Sequence, residues 1–209
     1  MKKYFFVSTL LVLVFSCKYV TKKEAGALTV NPYAYAIQKK ITASNGAVVS
    51  AHPLASIVGT EILKQGGNAF DAAIATQLAL AVVYPGAGNI GGGGFMVART
   101  NNGENIAIDY REKAPGKASR DMYLDSAGNP LLDKSQNGHL AAGVPGTVAG
   151  LFAAMQYAKL PFKQLIQPAI ELAQNGFALT EAEAASLNSI QADLKVLNTQ
   201  PNAFQKQTA

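Results

Sequence analysis

Residues 69–84 form a nearly continuous run of alanine, isoleucine, leucine and valine that ends at Pro85. A helix that is apolar on every side must be surrounded by protein, so we expect this helix in the middle of the domain. Asn68 is a suitable N-cap, and Asp71 lies in the first turn, where a negative charge favours the helix dipole. A glycine-rich run follows at residues 86–94, and its backbone is expected to pass close to another segment or to a substrate.

Turn-forming residues divide the remaining sequence into short strands and further helices. A β-branched run behind an Asn-Gly turn predicts one strand, and a second Asn-Gly pair predicts a hairpin between two more. Prolines at helix starts and glycines at helix ends predict the other helices. The expected strands are residues 46–51, 95–100 and 104–110, and the expected helices, besides the apolar one, are residues 53–65, 145–158, 161–175 and 180–197. Helices that cover a sheet indicate a layered α+β fold.

The composition excludes several classes of protein. The chain has 209 residues with one cysteine and two histidines, which excludes a disulfide scaffold and a zinc site built from cysteines. The net charge of +5 is concentrated before residue 44, because residues 44–209 contain eleven basic and twelve acidic side chains. We therefore expect no nucleic-acid partner, and the sequence predicts neither a metal site nor a cofactor site.

The N-terminus resembles a bacterial lipoprotein signal. Two lysines precede an apolar run, residues 4–15, that is too short to span a bilayer but has the length of a signal-peptide core. A serine then precedes Cys17, the only cysteine in the chain. We expect residues 1–16 to be a signal peptide and residues 17–43 to be a lipidated N-terminus and basic spacer. The exported domain would then be anchored to a membrane and face the periplasm or the cell exterior. The alternative is an ordinary secretory leader with an incidental cysteine.

The pattern Gly-x-Gly-x-x-Gly at residues 86–91 matches a dinucleotide-binding fingerprint, but the order of the elements around it does not. The fingerprint requires a strand, then the glycines, then a helix whose N-terminus receives the pyrophosphate. Here a helix comes first and a strand follows, so we exclude a nicotinamide cofactor. His52 and His139 have no serine or cysteine in a nucleophile motif, and we expect structural roles for both.

Arg111 directly follows the second strand of the predicted hairpin. A guanidinium at a strand end can bind a carboxylate through two parallel hydrogen bonds. It can equally be a solvated surface group paired with Glu112 or Asp109, and spacing leaves both interpretations open. The simplest interpretation of Lys113 and the basic residues after it is a solvated face.

Four blocks carry a family resemblance: GGNAFDAA at residues 66–73, GNIGGGGFM at 88–96, DYREKAP at 109–115 and GVPGTVAG at 143–150. In this order they resemble the large subunit of γ-glutamyltransferases, also called γ-glutamyltranspeptidases or glutathione hydrolases. The resemblance implies that residues 44–209 are the N-terminal portion of that subunit. The implied fold is the αββα sandwich of N-terminal-nucleophile hydrolases, incomplete in this chain.

The resemblance also implies a function. The precursor cuts itself, and a threonine at the new N-terminus of the small subunit attacks γ-glutamyl donors such as glutathione to give an acyl-enzyme. Water or an amino acid or peptide acceptor then completes hydrolysis or transfer. Arg111 matches the arginine that binds the α-carboxylate of the donor. The nucleophile has no counterpart here, because Thr147 and Thr180 match no processing site, so we expect no catalytic residue in this chain and no activity from it alone. The alternative is a non-catalytic lipoprotein that binds γ-glutamyl or amino-acid ligands.

Overall fold

The structure, a computed structural model, describes residues 30–198. The predicted signal peptide, Cys17 and part of the spacer lie outside the described residues. The elements in chain order are α1 (Pro53–Lys64), α2 (Ala69–Val83), β1 (Phe95–Arg99), β2 (Asn105–Asp109), α3 (Leu132–Gln136), α4 (Thr147–Ala154), α5 (Phe162–Asn175), α6 (Glu181–Ser189) and α7 (Gln191–Leu197). Short 3₁₀ turns precede and follow α4, at His139–Ala141 and Met155–Tyr157.

Helix α2 lies at the centre of the fold, as its all-round apolar surface predicts. It packs against α1 and α5, and its core side chains include Ile74, Ala75 and Leu78. The predicted cap is confirmed as a reciprocal capping box, in which the Asn68 side chain accepts from backbone N–H groups of the first turn. Asp71 returns the contact by accepting from the Asn68 N–H.

The ends of the helices follow the local sequence signals. Pro53 begins α1 directly after His52, whose side chain accepts from the Leu54 N–H. Gly66 follows the end of α1 with a φ of 95°, a conformation that favours glycine. Gly176 ends α5 with a φ of 76°.

Strands β1 and β2 form the predicted antiparallel hairpin, with Phe95 paired to Asp109 and Arg99 paired to Asn105. One face of the hairpin packs on the helices through the side chains Met96, Ala98, Ile106 and Ile108. The opposite face is open among the described residues, where the Val97 side chain is 84% exposed. The fold is therefore α+β, with helices covering one face of a small sheet.

The predicted strand over residues 46–51 is wrong for the described part of the chain. This segment forms no ladder, and Val49 is 87% exposed. A strand requires the backbone of a neighbour to complete its hydrogen bonds, and none lies beside it within residues 30–198. The segment is held by side-chain packing instead, since Val48 contacts Gly59 of α1.

The single helix predicted over residues 180–197 is two helices, α6 and α7, which meet at Ile190. The Ser189 hydroxyl donates to the Ser186 carbonyl at 2.8 Å and so competes with the backbone ladder. Serine and isoleucine are also weaker helix formers than the alanine and glutamate residues before them. Within residues 30–198, no helix is both long enough and apolar enough to cross a membrane.

Candidate functional site

The glycine-rich run fixes the end of the hairpin by close backbone contacts. The Gly92 carbonyl accepts from the N–H groups of Gly146 at 2.8 Å and Thr147 at 3.0 Å, at the start of α4. The Asn89 side-chain oxygen accepts from the Gly92 N–H at 2.8 Å and from the Thr147 hydroxyl at 3.0 Å. A Cβ at Gly93 would lie 2.7 Å from the Tyr110 carbonyl oxygen. The expected close approach is therefore to other segments of the protein.

Tyr110 links this run to the helices. Its ring is buried and packs where Gly94 and Gly150 leave no side chain. Its hydroxyl lies 3.2 Å from the Gln77 side-chain oxygen and 3.3 Å from the Phe95 carbonyl oxygen. Burial raises the pKa of the Tyr110 phenol, although the contact with Gln77 acts in the opposite direction. The residue just before Arg111 is thus firmly held.

Arg111 extends from the end of β2 onto the open side of the hairpin. Its backbone N–H donates to the Asp109 carboxylate at 3.1 Å. Two residues later, Lys113 exchanges backbone hydrogen bonds of 3.1 and 2.8 Å with Val144, which continues the extended path beyond β2. The Arg111 backbone is therefore anchored on both sides while its side chain remains accessible.

The Arg111 guanidinium has two weak neighbours and a free edge. Its Nε lies 3.8 Å from the Glu112 carboxylate, and its Cζ lies 5.7 Å from the centre of the Phe95 ring. The side chain is 65% exposed, and within residues 30–198 no partner is bonded to its two terminal nitrogens. The contact with Glu112 leaves the bidentate edge of the guanidinium exposed. Binding of a carboxylate at that edge stays a prediction.

The remaining basic side chains singled out by the sequence are solvated. Lys113, Lys117 and Arg120 are exposed, and Arg120 lies 4.0 Å from the Asp121 carboxylate. They lie in the long connection between β2 and α3. Within residues 30–198, no three histidine, cysteine or acidic side chains converge in a way that could hold a metal ion.

His52 is buried among three separate segments. Its Nε2 lies 3.2 Å from the Glu183 carboxylate of α6 and 3.3 Å from the Tyr35 hydroxyl, and its Nδ1 accepts from the backbone at the start of α1. Burial lowers the pKa of His52, and the Glu183 carboxylate opposes that shift. These contacts are those of a structural histidine. His139, by contrast, is exposed in the 3₁₀ turn before α4.

The two threonines excluded as processing sites have structural contacts. Thr147 is buried and bonded to Asn89, and Thr180 is the N-cap of α6 in a second capping box. Neither hydroxyl is presented to an open site.

A groove of about 1480 Å³ lies beside β1. Its floor is formed by α1 and α2, one wall by residues 44–51, and the other by Gly93, Gly94, Phe95 and Tyr110. The two walls are the unpaired segment over residues 44–51 and the β1 side of the hairpin. The groove is thus bordered by backbone that could accept further strands.

Sequence reasoning missed Phe95 as a neighbour of Arg111. The hairpin pattern contained the signal for this contact. Residue 95 pairs with residue 109, and the alternation of side chains along a strand places residue 111 on the same face as residue 109. Reasoning along the sequence also missed Glu183, which lies far from His52 in the chain and has no motif.

Comparisons with known proteins agree with this architecture. A sequence model of the family described as Gamma-glutamyltranspeptidase matches residues 55–208. The glutathione hydrolase proenzyme of Escherichia coli (strain K12) is 48% identical over 170 residues, which are 79% of this chain and 29% of that protein. The glutathione hydrolase proenzyme of Pseudomonas sp. (strain A14) is 52% identical over 153 residues, which are 73% of this chain and 27% of that protein.

The crystal structure of Helicobacter pylori gamma-glutamyltranspeptidase has a TM-score of 0.74 to this structure at 46% identity, covering 79% of this chain and 49% of that one. The likeness confirms the expected N-terminal-nucleophile hydrolase fold, of which the described residues form a part. The chain spans less than a third of the length of the curated relatives named above. The family model alone covers well over half of the sequence, so this chain belongs to the gamma-glutamyltranspeptidase family.

Proposed function

We propose that this chain forms the N-terminal portion of the large subunit of an enzyme that transfers and hydrolyses γ-glutamyl groups. Its substrates would be glutathione and related γ-glutamyl compounds, with water, amino acids or peptides as acceptors. The observation that carries the proposal is the free bidentate edge of Arg111, held beside the glycine-rich run in a chain of this family.

The chemistry of a γ-glutamyl donor fits this edge. The donor has a free α-carboxylate joined to its γ-carbonyl by a short aliphatic chain, and a guanidinium binds a carboxylate through two parallel hydrogen bonds. Binding at Arg111 therefore attracts the charge and restricts where the γ-carbonyl can lie. A threonine hydroxyl of the small subunit would attack that carbonyl, its α-amine accepting the proton. The amide C–N bond then breaks as the leaving amine takes a proton, and the acceptor or water releases the glutamyl group.

The proposed partner of this chain is the small subunit of the same precursor. The open hairpin face, with Phe95 and Val97 exposed, leaves apolar surface without a cover among residues 30–198. The groove beside β1 adds unpaired backbone in the segment over residues 44–51. A second sheet stacked on this face, with strands added at its edge, would bury the apolar side chains and satisfy the backbone.

The substrate role of Arg111 is tested by Arg111→Lys in the complete precursor. Lysine keeps the positive charge but lacks the planar fork, so KM for a γ-glutamyl anilide is expected to rise about tenfold or more while self-cleavage is unaffected. Arg99→Lys is the matched control, because Arg99 of β1 lies on the same open face of the hairpin but donates to the Asn105 side-chain oxygen at 3.1 Å. Steady-state kinetics with both variants check the expectation. An unchanged KM for Arg111→Lys would contradict the role.

We further propose that the protein is an exported lipoprotein anchored through Cys17. Several acyl chains on one cysteine hold a protein firmly at a membrane, since each buried CH₂ contributes about 0.8 kcal/mol. The Cys17→Ser variant is expected to partition into the aqueous phase of a detergent extraction after export, whereas the unaltered protein partitions into the detergent phase. Detergent partitioning of Cys17→Ser equal to the unaltered protein would place the anchor elsewhere.

A further inference from the structure

We propose that Phe95 is a positioning residue for Arg111: its ring is a platform that holds the guanidinium in the orientation required to bind a carboxylate. This inference rests on the proposed function, because it concerns how the same arginine meets its substrate. It assigns a role to an exposed aromatic side chain that the packing of the core does not use.

The register of the hairpin places the two side chains on one face. Phe95 is directly opposite Asp109, and side chains two residues apart on a strand point to the same side, so Arg111 follows Asp109 on the open face. The guanidinium carbon lies 5.7 Å from the centre of the Phe95 ring, within the range of cation–π attraction. The contact is diagonal across the hairpin, and the antiparallel pairing sets it.

The position opposite Arg111 contains no side chain. Continuing the register of the hairpin beyond the pair Phe95–Asp109 places Gly93 there. A Cβ at Gly93 would lie 2.7 Å from the Glu112 backbone nitrogen, so a larger residue is excluded by the close backbone contact. The guanidinium therefore has the Phe95 ring on one side and the Glu112 carboxylate near its Nε. Its exposed terminal nitrogens are where a small carboxylate can approach.

The neighbours of Arg111 restrain its side chain without occupying its binding edge. Glu112 lies near Nε, and the Phe95 ring meets the guanidinium carbon, whereas the terminal nitrogens keep their hydrogen-bonding capacity. A free arginine loses much rotamer freedom when it binds a ligand, and a restraint already present in the free protein reduces that loss. Phe95 thus favours binding by pre-organisation and need not contact the substrate.

Phe95 is 63% exposed among the described residues, and Val97 is the next outward side chain on the same strand. Val97 shares the strand, the face and the exposure of Phe95 but has no aromatic ring. It is therefore a matched control for any general effect of altering this surface, including its contact with a second subunit.

The experiment replaces Phe95 in the complete precursor with phenylalanines carrying one, two or three ring fluorines, which weaken the negative face of the ring with little change in size. KM for a γ-glutamyl anilide is expected to rise stepwise, to about two- to fivefold with three fluorines, while kcat stays constant. Phe95→Leu is expected to give a similar rise, and Phe95→Trp is expected to retain the original KM. Val97→Leu is expected to leave both constants unchanged.

The same fluorinated series at Phe152 is the second control, since that ring packs on Phe162 and has no cation over it among residues 30–198. A KM that stays flat across the Phe95 series, or that rises equally in the Phe152 series, would overturn the platform role. Failure of the platform leaves the Arg111→Lys effect in place. Failure of the proposed substrate role removes that effect as well, so the two failures are distinguishable.

Discussion

Replacing Asp71 by alanine is expected to lower the free energy of unfolding by about 3 kcal/mol, the largest effect of any substitution considered for this chain. Asp71 is fully buried in the first turn of α2. Besides closing the capping box, its carboxylate accepts from the Lys159 N–H at 3.1 Å and the Leu160 N–H at 3.0 Å. Three backbone donors from two distant segments therefore depend on one side chain.

Alanine leaves all three donors without an acceptor and also opens a small cavity, and each buried donor left unsatisfied costs about 1–3 kcal/mol. Asp71→Asn separates the loss of hydrogen-bond acceptors from the cavity. Asparagine fills the space but turns an amide N–H₂ toward backbone N–H groups. It too is expected to destabilise the fold. Urea unfolding followed by circular dichroism measures both variants.

The control for this prediction is Asp193→Ala. Asp193 also lies in the first turn of a helix, α7, but is exposed. An exposed substitution of this kind is expected to change the free energy of unfolding by less than about 0.5 kcal/mol. If Asp71→Ala lowered the free energy of unfolding as little as Asp193→Ala, the hydrogen bonds from Lys159 and Leu160 to Asp71 would contribute little to stability.

Gly150→Ala is expected to destabilise the chain by about 2 kcal/mol, although alanine is the better helix former by about 1 kcal/mol. Gly150 lies within α4, and a Cβ there would lie 2.6 Å from the Tyr110 Cβ and closer still to the Tyr110 ring. Because Tyr110 is itself held by Gly94 and by the helices, its ring cannot move away without disturbing the end of β2.

Gly86→Ala is the matched control, because a Cβ at Gly86 would meet no atom within 4 Å. It is expected to be neutral within about 0.5 kcal/mol. Thermal and urea unfolding of the two variants compare a glycine required by packing with one that is not. Equal stabilities would mean that Tyr110 and α4 are more loosely packed than the contacts indicate.

The local features of the fold were predictable because their causes lie within a few residues of each other. The Asn68 cap, the end of α1 at Gly66 and the hairpin turn before β2 each depend on side chains and φ preferences of adjacent positions. The burial of α2 was predictable for a related reason, since its composition allows no solvated face.

The prediction of a strand over residues 46–51 failed because a β-branched run indicates only that a segment can pair with a neighbouring strand. Whether it does pair depends on a neighbour that no local pattern specifies. The prediction of a single helix over residues 180–197 failed for the opposite reason. The Ser189 side chain offers the backbone a local alternative that apolar spacing does not reveal.

The sequence by itself determined the order of the helices, the hairpin, the family and the choice of Arg111 as a candidate carboxylate ligand. The tertiary structure alone decided that Asp71 bonds Lys159 and Leu160, and that Phe95 lies beside the guanidinium. A sequence motif indicates which local contacts a residue can make within its own turn, helix or strand. Contacts between segments far apart in sequence arise only when packing and register bring them together, and these contacts decide how the candidate site is held.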